Sequence, residues 1–177
     1  MIKKYFILNA LFVLSVASYA EPLDPVKLLS SYVGVDTVNP PGNESRAVDF
    51  YAKIFEKEGI EFSSGESAPG RGNIWARIKG GDLPALILLQ HTDVVPATKE
   101  YWDTDPFVAE IKDGYLYGRG VIDMKGAGIS QLVSFIRLHR SGLSLNRDVV
   151  FVATADEEDG GMFGAGWLMD NHPEIFE

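Results

Sequence analysis

Apolar positions in residues 44–58 (Ala47, Phe50, Tyr51, Ile54 and Phe55) recur at helical spacing with polar or charged residues between them. That period predicts a helix with one face in a core, stopped by Gly59. Residues 124–139 repeat it with Ile129, Leu132, Val133, Ile136 and Leu138, and end near Gly142. An earlier helix is predicted from Asp24 and Pro25, through Val26-Lys27-Leu28-Leu29, toward Gly34. Aspartate caps a helix start, and proline suits the first helical position.

Strand signals alternate with these helices. Residues 73–78 switch between apolar and polar at period two, the mark of a half-buried strand. Residues 85–89 and 149–153 are apolar throughout, which predicts central strands covered on both faces. Residues 108–118 alternate around Asp113-Gly114, a hairpin signal. Asn39-Pro40-Pro41-Gly42-Asn43 predicts a rigid turn, residues 61–72 a Ser/Gly/Pro-rich loop, and residues 164–169 a short helix. No internal repeat is present. Interleaved strands and helices predict a layered α/β domain with a largely parallel core and one antiparallel hairpin.

The first residues follow a different logic. Lys3 and Lys4 precede an apolar run over residues 6–16 and then Ser18-Tyr19-Ala20, where small residues flank a larger one. This is the pattern of a secretory signal peptide, with cleavage expected after Ala20. The apolar run is shorter than the ~18 residues of a spanning helix, so no lasting membrane association is expected once it is removed. The expected location is secreted or periplasmic, with residues 21–177 as the mature part.

Removing Lys3 and Lys4 takes the basic count from 16 to 14 against 25 acids, and the formal charge from -9 to -11. Such a chain repels nucleic acid and anionic membrane surfaces. It has no cysteine, so stability must come from a core or a bound metal, and a metal site must be built from His, Asp and Glu.

Both apolar strands run into chemistry: residues 85–89 into Gln90-His91-Thr92-Asp93, and residues 149–153 into Asp156-Glu157-Glu158-Asp159. Ligands of open α/β sheets bind beyond the carboxyl ends of strands, so the two clusters point to one place. A third cluster, from Gly118-Arg119-Gly120 to Asp123-Met124-Lys125-Gly126, lies between them. Crowded carboxylates repel one another unless a cation neutralises them, which suggests a metal. Asp93, two residues after His91, can approach it on one side. Glu157 and Glu158, if extended, diverge, so that one can bind metal while the other faces a reacting water. Taken singly the clusters have plainer readings: a hydrogen-bonded histidine, a solvated acidic turn, and Asp123 as a helix cap. His139 and His172 have no acidic cluster beside them and are expected at the surface, and Arg119 is expected to pair locally with an acid.

In order, His91-Thr92-Asp93-Val94-Val95-Pro96, then Tyr117-Gly118-Arg119-Gly120-x-x-Asp123-Met124-Lys125-Gly126, then Asp156-Glu157-Glu158 closely resemble the M20 metallopeptidase family. Trp102-x-x-Asp105-Pro106-Phe107 is similar to its carboxypeptidase and aminoacylase-like members, and the likeness runs from residue 39 to the end. The resemblance implies a three-layer α/β/α catalytic domain with a mostly parallel sheet, hydrolysing small peptides or N-acyl amino acids. It implies two zinc ions, replaceable by manganese or cobalt. His91 would bind one, Glu158 the other, and Asp123 would bridge them. Asp93 would orient His91, Glu157 would be the general base, and the Asp123-Met124 peptide bond would be cis.

A complete member needs a further acid and a distant histidine, and many members have a lid domain through which they form homodimers. Glu174, Glu177 and His172 fit none of these places. The expectation is therefore an amino-terminal portion that alone binds metal weakly and hydrolyses little, with residues 149–153 left as an exposed sheet edge. A protein of another class, a non-catalytic envelope protein holding a cation or ligand, fits the same acidic pattern. Glu157 favours the enzyme, because holding metal requires no base.

Overall fold

The computed structural model describes residues 21–177, and the expected signal peptide lies outside the described residues. Helix α1 (Pro25–Val33) begins where Asp24 accepts the N–H groups of Val26 and Lys27, each at 3.0 Å. Helix α2 (Ser45–Glu58) buries Ala47, Tyr51 and Phe55 on one face and stops at Gly59. Three strands follow: β1 (Phe62–Glu66), β2 (Gly72–Ile78) and β3 (Leu83–His91). The hairpin of β4 (Glu110–Lys112) and β5 (Tyr115–Tyr117) turns at Asp113 (φ 53°) and Gly114 (φ 82°), the left-handed pair that a two-residue hairpin requires. Helix α3 (Gly126–Ser141), β6 (Arg147–Thr154) and α4 (Trp167–Asn171) complete the order.

The expected α/β layering is what the chain adopts. The sheet has the order β1-β2-β6-β3. It is mixed: β1 with β2 and β2 with β6 are antiparallel, and β3 with β6 is parallel. Parallel pairing is thus confined to the two strands that end at the acidic clusters. On one face α1, α2 and α3 enclose a core in which the Phe151 ring lies 5.3 Å from Tyr51, 5.5 Å from Phe55 and 5.8 Å from Phe135. On the other face Leu168 of α4 and Ile175 cover Val150 and Val152.

Several expectations give way. Residues 62–66 form strand β1 within the predicted loop, because pairing with β2 supplies backbone bonds that a Ser/Gly-rich sequence does not advertise. Residues 149–153 lie in the sheet interior between β2 and β3, so they are not an exposed edge. Instead β1 and β3 are the two edges among the described residues, and on β3 Leu86 and Leu89 are 49% and 44% exposed where coverage on both faces was expected. An apolar run marks a strand that meets apolar surface, and does not record which side lacks a neighbour. The two later helices also start farther along than their periodicity suggests, at Gly126 and Trp167, each after a kinked turn. No helix among the described residues is long and apolar enough to cross a membrane.

Candidate metal centre

Because β3 and β6 are parallel, with His91 opposite Thr154, their carboxyl ends reach the same edge of the sheet. His91 is buried there. Its Nδ1 lies 3.0 Å from the main-chain oxygen of Asp93 and 3.4 Å from the Asp93 carboxylate. A proton held on Nδ1 leaves Nε2 with a free lone pair. Nε2 lies 3.0 Å from Asp123 Oδ1 and 3.8 Å from Glu157 Oε2. His91, Asp123 and Glu158 each bring one donor atom within 4.8 Å of the others. One imidazole and two carboxylates form a donor set that zinc accepts, so these residues fit a divalent cation.

Charge at this point is strongly one-sided. Burial works against a charged His91, yet hydrogen bonds to the Asp93 and Asp123 carboxylates outweigh it and raise its pKa to about 9. Burial raises the Glu158 pKa; His91 opposes this, and Asp123, Asp93 and Glu157 reinforce it. The site favours positive charge, whether proton or metal.

Asp123 arrives on a turn that is not helical, with φ -116° and ψ 102°, and its peptide bond to Met124 is cis, as the resemblance implied. The turn is anchored by Lys125, whose buried Nζ donates to the Tyr32 and Val35 carbonyls at 3.0 and 2.7 Å, in the last turn of α1 and just past it. Carbonyls at a helix carboxyl end stabilise a cation. Burial lowers the Lys125 pKa to about 8.

Glu157 and Glu158 are held by a second anchor. The Asp93 carboxylate accepts the main-chain N–H of Glu157 at 3.1 Å and of Glu158 at 3.0 Å, and the Asn39 amide at 2.8 Å. Burial would raise the Asp93 pKa, but these bonds and His91 bring it below the ordinary carboxylate value. Just before the pair, Asp156 adopts a left-handed backbone (φ 69°). Its carboxylate pairs with Arg71 and accepts the Phe163 N–H at 3.0 Å. Asn39, Glu44, Arg71 and Lys125 were not legible as site residues in the sequence.

A family model described as Peptidase family M20/M25/M40 matches residues 87–176. The chain belongs to this family. A succinyl-diaminopimelate desuccinylase of Ehrlichia canis (strain Jake) is 32% identical over 163 residues, covering 86% of this chain and 41% of the relative. Aminoacylase-1B of Rattus norvegicus is 34% identical over 150 residues, covering 83% of this chain and 37% of the relative. The chain therefore spans about two fifths of the length of these curated relatives. An M20 family metallo-carboxypeptidase from Sulfolobus solfataricus shares the fold, with a TM-score of 0.74 at 19% identity, covering 88% of this chain and 36% of that one.

Within this M20 chain, His91, Asp93, Asp123, Glu157 and Glu158 all fall inside the matched segment, whereas Asn39, Glu44 and Arg71 precede it. Some details differ from expectation. Glu157 and Glu158 stand on a tight turn, residues 157–159, instead of an extended segment, so both carboxylates stay near His91. Asp123 does not cap α3, whose cap position is Lys125. Arg119 stacks over Trp102 at 5.2 Å and donates to the Pro96 carbonyl in place of an acid. His172 is half-buried against the Trp75 and Trp167 rings, at 4.9 and 5.2 Å.

Proposed function

We propose that these residues form the metal-binding part of a zinc-dependent hydrolase of amide or peptide bonds. The reaction is that of an exopeptidase of the carboxypeptidase kind or of an N-acyl-amino-acid amidohydrolase. The observation that carries this reading is the meeting of His91, Asp123 and Glu158 within 4.8 Å at the shared end of β3 and β6. The names of the relatives, a desuccinylase and an aminoacylase, support small acylated amino acids or peptides as substrates. His91 and Glu158 would each hold one of two zinc ions, with Asp123 shared between them, and manganese or cobalt suit the same oxygen-rich set. The pattern of residues 1–20 supports export of the protein.

Bound zinc lowers the pKa of a coordinated water and polarises the substrate carbonyl. Glu157 is 62% exposed, with Oε2 3.8 Å from His91 Nε2. It can take a proton from the attacking water and return it to the leaving nitrogen, so no covalent enzyme intermediate is needed. Asp93 keeps the His91 ring turned so that Nε2 faces the site.

The test is Glu157→Gln in the whole protein, with zinc content and turnover of N-acyl amino acids and dipeptides measured together. Zinc should stay near the parent content while kcat collapses by about 100-fold or more, the weight of a general base. Equal turnover removes Glu157 from the mechanism, and a parent protein that takes up no zinc removes the metal.

A further inference from the structure

Beneath the candidate metal centre lies a charged layer around Arg71, whose polar partners are Asn39, Pro41, Glu44 and Asp156 and do not include His91, Asp123 or Glu158. Arg71 is 6% exposed, and its guanidinium ties together segments distant in the chain. Nη1 donates to Asn39 Oδ1 at 3.1 Å and to the Pro41 carbonyl at 2.8 Å. Nη2 pairs with Asp156 and lies 3.3 Å from Glu44 Oε1. The Phe163 ring lies 5.2 Å from the same guanidinium. Gly42, at φ 81°, closes the cradle: a Cβ there would collide with Arg71 Nη1. The Asn-Pro-Pro-Gly turn is thus shaped around a guanidinium.

From Arg71 two routes lead to the Glu157-Glu158 turn. Through Asp156, Arg71 fixes the left-handed residue immediately before it. Through Asn39, whose amide donates to Asp93 Oδ2 at 2.8 Å, it orients the carboxylate that receives both turn amides. A planar guanidinium spreads five N–H donors over a fixed fork that reaches acceptors on separate segments, whereas a lysine ammonium has three donors on a single nitrogen. Buried charge removed from one side of such a network leaves its partners unpaired.

We propose that Arg71, cradled by residues 39–42, is a positioning residue that fixes the Glu157-Glu158 turn before any cation binds. The proposal concerns the same site as the metal reading and rests on that reading for its consequence, but its first effect is on the metal-free chain. Without Arg71 the turn samples other conformations, and a cation must then order it on binding.

The experiment compares the parent with Arg71→Met and Arg71→Lys. Amide hydrogen exchange is followed without metal, and zinc affinity by competition with a chromophoric chelator. In Arg71→Met, exchange at Glu157 and Glu158 should quicken by about 10–100-fold, the weight of a charge-assisted hydrogen bond, while β6 amides keep parent rates. Zinc affinity should fall by a similar ~10–100-fold, as when partners of metal ligands are lost. Arg71→Lys should restore only part of both.

If Arg71→Met does not fold, Arg71→Met/Asp156→Asn removes one of the two carboxylates, Asp156 and Glu44, that lose the guanidinium. It should regain stability while retaining fast turn exchange and weak zinc binding. Parent-like turn exchange in a folded variant overturns the proposal, as does zinc affinity that returns with stability in the double variant. A parent that binds no zinc defeats the metal reading alone, and the exchange result still decides the role of Arg71.

Discussion

The Asp93 carboxylate accepts the main-chain N–H of Glu158 at 3.0 Å, joining the segment after β3 to the turn after β6. The bond links two segments of the candidate metal site 65 residues apart in sequence, and Asp93 also holds Glu157 and Asn39. Asp93→Ala removes the acceptor of two part-buried turn N–H groups and the nearer acceptor of the buried Asn39 amide, whose other contact is Asp156 Oδ1 at 3.4 Å. Stability should fall by about 2–4 kcal/mol in urea unfolding, the range for breaking a buried charged network. Zinc affinity should fall by about 10–100-fold. Asp93→Asn keeps one acceptor but turns an NH2 toward a donor, and should lie between parent and alanine. A parent-like urea midpoint for Asp93→Ala would mean that the turn is held elsewhere.

Metal should stabilise the fold as well as serve chemistry. His91, Asp123 and Glu158 belong to three separate segments, and a cation binding all three favours the folded chain by mass action. Zinc at 100 times its dissociation constant should add about 2.7 kcal/mol to the unfolding free energy, and EDTA should reverse it. His91→Ala and Glu158→Ala should each lose most of this increment in calorimetric unfolding with and without zinc. An undiminished increment in both variants places the cation elsewhere.

Much of the fold and the centre of the site were legible in the sequence for a definable reason. His91 ends one apolar strand and Asp156-Glu157-Glu158 come just after the other, and strand ends are visible in local pattern. The hairpin was visible because Asp113-Gly114 encodes its own turn. Arg71 was not: its partners Asn39 and Asp156 lie 32 and 85 residues away, and periodicity reports a face without naming what meets it. Its position between Gly70 and Gly72, and the rigid Asn-Pro-Pro-Gly turn, were the available signals of close packing around a charge. Lys125 was visible as a member of the third cluster, but its anchoring role was not, because its acceptors are carbonyls near the end of α1, 93 and 90 residues away in sequence.

The buried acid Glu44 sets a pH dependence. Burial raises its pKa from 4.5 to about 6, with Arg71 offsetting only part of the cost. Between about pH 4.5 and 6 the folded chain holds a proton that the unfolded chain releases. This contribution therefore weakens stability as pH rises through the window, by about 1–2 kcal/mol in total. Glu44→Gln cannot release a proton and lacks this slope. Urea unfolding in EDTA at several pH values between 4 and 7 should show the parent losing stability relative to Glu44→Gln across that interval. Parallel curves would show that Glu44 titrates alike in the folded and unfolded chain.

Gly164 tests whether the turn after β6 is held by packing as tightly as by charge. It presses on the main chain at Ala155, so a Cβ at residue 164 would collide with the Ala155 carbonyl oxygen. Backbone at the end of a buried strand cannot swing aside as a flexible side chain can. Gly164→Ala must therefore displace the stretch between residues 155 and 164, which contains Asp156, Glu157 and Glu158. Overpacking of this kind costs about 1–3 kcal/mol, so the urea midpoint should drop. Because the displaced stretch includes Glu158, a proposed metal ligand, zinc affinity should drop with it. Ile136→Val, a deletion in the α3 core away from the turn, should lower stability by about 0.5–1.5 kcal/mol and leave zinc affinity at the parent value. Equal zinc affinity in both variants would show that the turn tolerates the added methyl group by moving away from the metal centre.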